Sequence, residues 1–447
     1  MIDRTDRIIV KGGRVIDPAG RFDQIADVVI EGGRIARVGA AGSEDGTVID
    51  AGGAIVCPGF IDIHTHLREP GQEYKETIAS GADAAAHGGF TTICAMPNTA
   101  PPIDSRSVVE FIQRQALVTP VRVLVIGCVT RGRAGKELAE MGELADAGCI
   151  GFSDDGNPVA DSGLMRRALE YASAFGLPII NHPEEPALAA GGVMHEGWVA
   201  TRLGLQGQPA AAEESMVARD IQLAELTGAR LHLTHLSTAG SVDLVRGAKQ
   251  RGLRVTADVT PHHLTLTHEA VLDAPGVTGA AYDTNAKVHP PLRTPEDVQA
   301  CVEGLRDGTL DAVATDHAPH AVTDKLCEFD LAAPGLTGLE TALGLLLRVV
   351  DQGGISLPEA IERLTIGPVR AVRLDRRTGE SGLGTLQPGA PADLVVFDPA
   401  ARWTVTAESL WSKGKNTPLI GTELQGRVLV TIAGGCVAYR AEEAQAG

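Results

Sequence analysis

The sequence predicts an α/β fold: a (β/α)8 TIM barrel with a small β-sandwich domain built from both chain termini. Three observations carry this prediction. Between Phe60 and about Val350, short β-branched apolar runs alternate with longer segments of helical periodicity, the signature of repeated strand–helix units and a parallel sheet. Eight such units fill one span and no Gly-x-Gly-x-x-Gly run follows the first strand, which favours a closed barrel over an open doubly wound sheet. The two chain ends differ from the middle and resemble each other, with short strands separated by Gly-Gly turns.

In chain order, residues 7–15, 26–38 and 48–56 read as strands, parted by Gly12-Gly13, Gly32-Gly33 and Gly52-Gly53. The barrel strands follow at 60–66, 90–97, 121–129, 149–155, 178–182, 230–236, 254–260 and 312–317. Between them, 104–117, 136–147, 162–175 and 213–226 read as helices, opened by acidic residues and followed by Gly or Pro. Residues 393–397 and 427–439, with Gly434-Gly435, return to the style of the amino-terminal strands. The domain division is therefore 1–56 and 376–447 for the sandwich and 57–375 for the barrel.

Composition narrows the function. With 39 Lys plus Arg against 57 Asp plus Glu, the net charge is −18, so neither nucleic acid nor an anionic membrane surface is a natural partner. No apolar run approaches a membrane span, and residues 1–12 alternate charged and apolar side chains where a signal peptide would be continuously apolar. The expectation is a cytoplasmic protein. The seven cysteines are scattered and never spaced C-x-x-C; those inside apolar runs serve as small buried hydrophobes, and none is assigned a disulfide, metal or catalytic role.

In a barrel, chemistry gathers at the carboxyl ends of the strands. The first strand ends His64-Thr65-His66, and residues two apart on a strand share a side, so these imidazoles converge. The fourth ends Ser153-Asp154-Asp155-Gly156, the fifth Asn181-His182-Pro183, the sixth Thr234-His235-Leu236, and the eighth Thr315-Asp316-His317. Imidazoles and carboxylates at one rim are the donors that zinc prefers, enough for two ions sharing a bridge. Alternation admits only one of Asp154 and Asp155 to the interior, and spacing does not choose. His232 is turned to the other face and reads as a structural histidine, while His262, His263 and His268, after the seventh strand, read as substrate-facing or, more commonly for such positions, as solvated rim residues. His87 and His195 fall in a helix and a loop without a role, and His317 points away from Asp316 as a supporting group.

The run Pro58-Gly59-Phe60-Ile61-Asp62-Ile63-His64-Thr65-His66-Leu67-Arg68-Glu69-Pro70-Gly71 resembles the entry motif of the cyclic amidohydrolases. With Met96-Pro97-Asn98-Thr99, Ser153-Asp154-Asp155-Gly156 and Ala314-Thr315-Asp316-His317-Ala318-Pro319-His320, the chain is similar to the bacterial class I dihydroorotases along nearly its whole length. The resemblance implies interconversion of N-carbamoyl-L-aspartate and L-dihydroorotate in pyrimidine synthesis, on two Zn2+ ions bridged by Asp155 and hydroxide. It implies that His64, His66 and Asp316 hold one ion, His182 and His235 the other, and that Asp316 is also the catalytic proton carrier. Many relatives bridge with a carboxylated lysine, but no lysine lies between Lys136 and Lys249, so the resemblance implies either that the shorter Asp155 bridges or that the second site is weak. The resemblance also places His66, Arg68, Asn98, His289, His320, Pro334 and Gly335 at the family's substrate-binding positions. His289 stands where the family usually has asparagine. A homodimer and association with an aspartate carbamoyltransferase are also implied. The loop 321–334, with Leu326, Phe329 and Leu331 among charged residues, reads as a candidate cover for the site.

Overall fold

A computed structural model describes residues 7–42, 45–272 and 281–442; the outermost parts of the predicted sandwich, 1–6 and 443–447, lie outside the described residues. Parallel pairing joins Phe60–Thr65 to Phe90–Ala95 and that strand to Arg122–Val125. A second parallel run joins Ile179–Asn181, Leu231–Leu233, Val255–Val259 and Ala312–Val313. Isolated parallel bridges connect the runs: Gly127 to Phe152, Phe152 to Ile179, and Thr65 to His317. The pairing thus returns to its starting strand. Ile61, Cys94, Ile126, Ile150, Ile180 and Ala312, from six of these strand positions, pack in one buried cluster, a contact that the far edges of an open sheet could not make.

Two barrel elements differ from expectation for local reasons. The fourth strand shrinks to the bridge at Phe152, although Ser153 N–H donates to Gly127 O (2.8 Å) and Ile180 N–H to Phe152 O (2.8 Å). One residue on, Asp154 Oδ1 accepts the N–H groups of Val129 (2.9 Å) and Thr130 (3.0 Å), so a side chain replaces the ladder. The helix expected over 136–147 covers only Met141–Asp146, because Arg131 N–H donates to Glu137 O and Ala139 N–H to Val129 O, pairing 137–139 back onto the strand end. At the amino terminus, Gly12-Gly13 is not a turn but a bulge within the continuous strand Ile8–Asp17, and the strand expected over 26–38 is two, Phe22–Glu31 and Arg34–Gly39, parted at Gly32-Gly33. The helices keep their pattern. Arg106–Ala116 buries Val108, Val109 and Ile112 on one face, and Asp161 caps Ser162–Ser173 by accepting from Leu164 N–H (2.6 Å).

The two termini build one eight-stranded sheet. Ile8–Asp17 pairs antiparallel with Phe22–Glu31, which pairs with Arg34–Gly39; it also pairs parallel with Thr47–Asp50 and Ile55–Pro58. Ile55–Pro58 then pairs with Leu394–Thr404, which carries Glu423–Ala433 and Cys436–Arg440. Gly32-Gly33 and Gly434-Gly435 turn with positive φ, as type I′ hairpin turns demand. Ile55–Pro58 runs straight into Phe60–Thr65 through Gly59, whose N–H donates to Asp393 O (2.9 Å). The sheet therefore holds the base of the strand that carries His64 and His66. Of the seven cysteines, Cys57, Cys94, Cys128, Cys149 and Cys301 are buried, Cys436 is half-buried and Cys327 is exposed.

Asp17, buried, fastens the ends together by accepting from Thr385 Oγ1 (2.7 Å), Leu386 N–H (2.8 Å) and Gly20 N–H (3.1 Å). Asp17→Ala leaves buried donors unpaired and should lower unfolding stability by about 1–3 kcal/mol, read from the urea midpoint.

Candidate metal centre

The strand ends bring the predicted donors together. Asp155 faces two groups at once. Its Oδ2 lies 3.3 Å from His64 Nε2 and 3.4 Å from His66 Nε2, while Oδ1 lies 3.7 Å from His182 Nδ1 and 3.5 Å from His235 Nε2. Asp316 Oδ1 completes the first group, 3.0 Å from His66 Nε2 and 3.4 Å from His64 Nε2. His182 Nδ1 and His235 Nε2 stand 2.9 Å apart. His64, His66 and Asp155, and separately Asp155, His182 and His235, are spaced to hold a metal ion. All these side chains are buried.

Supporting contacts aim the rings. His66 Nδ1–H donates to Asn98 Oδ1 (2.7 Å), so Nε2 carries the lone pair toward the acids. His64 Nδ1–H donates to Thr234 Oγ1 (2.6 Å), whose hydroxyl donates to Asp258 Oδ2 (3.1 Å). Asp258 also accepts from His235 N–H (2.6 Å) and His232 Nε2 (2.8 Å), which makes His232 the hydrogen-bonded structural histidine expected of it. Asp62 accepts from His64 N–H (3.0 Å) and Thr315 N–H (3.1 Å), tying the first strand to the eighth; burial pushes its carboxyl up to about 6. Asp62 and Asp258 were not singled out from sequence. Each is an acid within an apolar strand, a signal that was present.

The backbone is strained where the donors sit, with φ of +42° at His235 and +47° at Asp316. Burial opposes charge on Asp155 and Asp316, yet the histidines around them hold both carboxyls below the ordinary range. Burial pushes down the pKa of His66 and His182, keeping them as neutral ligands; His64 is also pushed down by burial, but Asp155 and Asp316 outweigh this and raise it to about 10. His64 Nε2 and Asp155 Oδ1 are fully buried without a hydrogen-bond partner. Buried polar atoms left unpartnered are costly, and a divalent cation displacing the His64 proton would engage both, so the nitrogen–oxygen donor set fits divalent metal.

Beside the donors, Arg68 is buried at φ +62°, donating Nε–H to Pro319 O (3.2 Å), with Nη2 3.4 Å from His320 Nε2. Glu69 and Glu73 instead accept the backbone N–H groups of Ile78 and Gly71. Burial lowers the Arg68 pKa to about 10. His320 Nε2–H donates to Pro334 O (2.9 Å), and burial, reinforced by Arg68 and Lys75, lowers its pKa to about 3. Gly335 N–H donates to Lys287 O (2.8 Å), so the backbone at 334–335 is engaged within the protein. His289 turns to Glu184, which also accepts from Gln208 Nε2, and its ring stands 4.8 Å from that of His182. The loop 321–334 lies against this side: Asp324 pairs with Lys75 (3.4 Å), and Lys325 Nζ donates to Thr284 O and Ala333 O.

The other histidines stand outside these donor groups, although His262 and His263 lie close enough to feel the charges of Asp316 and His235. His262, His263 and His268 are buried, correcting the expectation of solvated rim positions; His263 bonds Thr260 Oγ1 and Pro290 O, and His268 packs on His195 and Trp198. Sequence polarity suggested exposure, but Pro290 and Arg293 fold over this turn. His317 accepts from Gly338 N–H (3.2 Å) and lies 3.6 Å from Glu76. His87 stacks on Trp411.

A family model described as dihydro-orotase-like matches residues 53–241. A dihydroorotase of Anaeromyxobacter sp. (strain K) is 53% identical over 438 residues, covering 97% of this chain and 98% of its own length. The chain belongs to the dihydroorotase family. Another member, from Syntrophus aciditrophicus (strain SB), is 51% identical over 438 residues, covering 97% and 99% of the two chains. Among solved structures, an L-hydantoinase (dihydropyrimidinase) from Arthrobacter aurescens superposes with a TM-score of 0.85 and 27% identity, over 98% of this chain and 97% of its own. As a dihydroorotase-family member the chain is an enzyme with a small-molecule substrate. No helix among the described residues is long and apolar enough to cross a membrane.

Removing the partner that orients His66 should loosen the metal centre without unfolding it. Asn98→Ala is expected to weaken divalent-metal affinity about 10–100-fold, read by competition with a chromogenic chelator.

Proposed function

We propose that this chain is a class I dihydroorotase, interconverting N-carbamoyl-L-aspartate and L-dihydroorotate in pyrimidine synthesis, with two zinc ions per chain. The observation that carries the reading is the Asp155 carboxylate, one oxygen toward His64 and His66 and the other toward His182 and His235, with the buried Arg68 guanidinium nearby. In this reading His64, His66 and Asp316 would hold one ion, His182 and His235 the other, and Asp155 would bridge them. Bound zinc supplies Lewis acidity to the amide carbonyl and acidifies the attacking water.

The chain's own groups do the rest. Asp316 has Oδ1 turned to His66 and His64, and its Oδ2 accepts the proton of the attacking water and delivers it to the departing ring nitrogen. In the cyclising direction the same oxygen takes the ureido proton. Arg68 grips the substrate carboxylate with a two-pronged contact, supported by His320. Asn98 offers its amide N–H to substrate while its oxygen holds His66. His289, drawn to Glu184, contributes from the far side, and the backbone at Pro334 and Gly335 shapes the wall through His320. A net charge of −18 repels a dianion at long range, so this local cationic lining is what admits it.

The circuit of parallel strands is read as a closed (β/α)8 barrel over 57–375, and the terminal sheet, curled around its own core, as a β-sandwich from 1–56 and 376–447. A cytoplasmic homodimer that associates with an aspartate carbamoyltransferase belongs to the same reading.

The structural likeness to a hydantoinase gives the assay its comparison. Purified protein should hydrolyse L-dihydroorotate, lose this on chelation and regain it with zinc, and act far more slowly on hydantoin and allantoin. Faster turnover of either would overturn the assignment. Asp316→Asn should lower kcat by about 10²–10⁴-fold with the fold intact by circular dichroism; a variant retaining a tenth of the activity excludes Asp316 as sole proton carrier.

A further inference from the structure

We infer that the carboxy-terminal segment 411–417 forms a wall of the active site and that Asn416 is a positioning residue for the Arg68–His320 pair. Asn416 is buried, and both ends of its amide are used. Its Oδ1 accepts from His320 N–H (2.8 Å), and its Nδ2 donates to Ala318 O (3.0 Å) and Gly335 O (3.0 Å). Its backbone oxygen accepts from Thr337 N–H (2.9 Å). One side chain thus clamps the turn that follows the eighth strand to the returning end of loop 321–334.

What it clamps is the frame of the guanidinium. Pro319, between Ala318 and His320, offers the carbonyl that receives Arg68 Nε–H, and His320 Nε2 stands beside Arg68 Nη2 and donates to Pro334 O. Arg68 holds a positive φ, so its direction depends on these external contacts. The segment itself is firmly held. Glu340 accepts the N–H groups of Trp411 (2.6 Å) and Ser412 (3.1 Å), and Glu76 accepts from Ser412 Oγ and Lys413 N–H (3.1 Å). Gly414 lies flat on the turn: a Cβ there would stand 2.7 Å from Pro319 Cβ and 2.9 Å from His320 N. Only glycine allows that approach.

The clamp bears on the groups that grip the carboxylate and makes no contact with the histidines of the metal centre, so its loss appears in KM before kcat. The inference rests on the proposed role of Arg68 and His320, and the experiment separates the two. Metal-loaded wild type, Asn416→Ala, Gly414→Ala and Arg68→Lys are compared for kcat and KM with L-dihydroorotate, for inhibition by orotate, which carries the same carboxylate, and for thermal midpoint and zinc content. For Asn416→Ala we expect KM and the orotate inhibition constant to rise roughly tenfold with kcat within about threefold and zinc unchanged. Gly414→Ala, which pushes the segment off the turn, shifts both constants in the same direction and decides the matter if Asn416→Ala fails to fold. Unchanged KM in Asn416→Ala while Arg68→Lys raises it overturns the positioning role and leaves the function intact. Unchanged KM in Arg68→Lys overturns the reading of the carboxylate grip itself.

Discussion

One carboxylate organises the centre. Asp155 presents an oxygen to each of two imidazole pairs, and none of the five groups has solvent to fall back on. Buried ionisable groups in such number are tolerated only when charge and lone pairs are matched within the cluster. This requirement reaches outward: Thr234, Asp258 and Asn98 fix the far side of the rings, and Asp62 ties the strand bearing His64 to the strand preceding Asp316. The circuit of parallel pairing is what brings the fourth, fifth, sixth and eighth strand ends within reach of the first.

Much of this was legible in the sequence because strand alternation is a local rule. His64 and His66 share a face for that reason. The rule also says that only one of Asp154 and Asp155 looks inward, and the structure turns Asp154 to the N–H groups of Val129 and Thr130. The terminal strands were legible through Gly32-Gly33, Gly52-Gly53 and Gly434-Gly435, whereas Gly12-Gly13 bulges within one strand, an outcome that paired glycines permit as readily as a turn. The pairing of 137–139 with the preceding strand end was not, because helical periodicity there is satisfied by six residues as well as twelve. His262 and His263 misled because a polar pair after a strand is usually wet; burial under a later turn leaves no trace in the local pattern. Asn416 was invisible for the same reason, since its partners lie 81 to 98 residues away in sequence.

His289 is committed to one partner. An imidazole can pair with Glu184 in a way that a shorter amide would not, and burial, countered chiefly by His289, leaves the Glu184 carboxyl at about 2. The pair stands beside His182, and Glu184, His289 and His182 are themselves spaced as metal donors.

The sheet that joins the two termini also sets a schedule for biosynthesis. Ile55–Pro58 is ready early, but its antiparallel neighbour Leu394–Thr404 leaves the ribosome more than three hundred residues later. Until then the nascent chain carries an open strand edge and an unfinished first catalytic strand, the kind of surface that chaperones shield. Truncated translation products of this enzyme should accordingly be sticky and inert, and a protein that works must have been completed to its final hairpin.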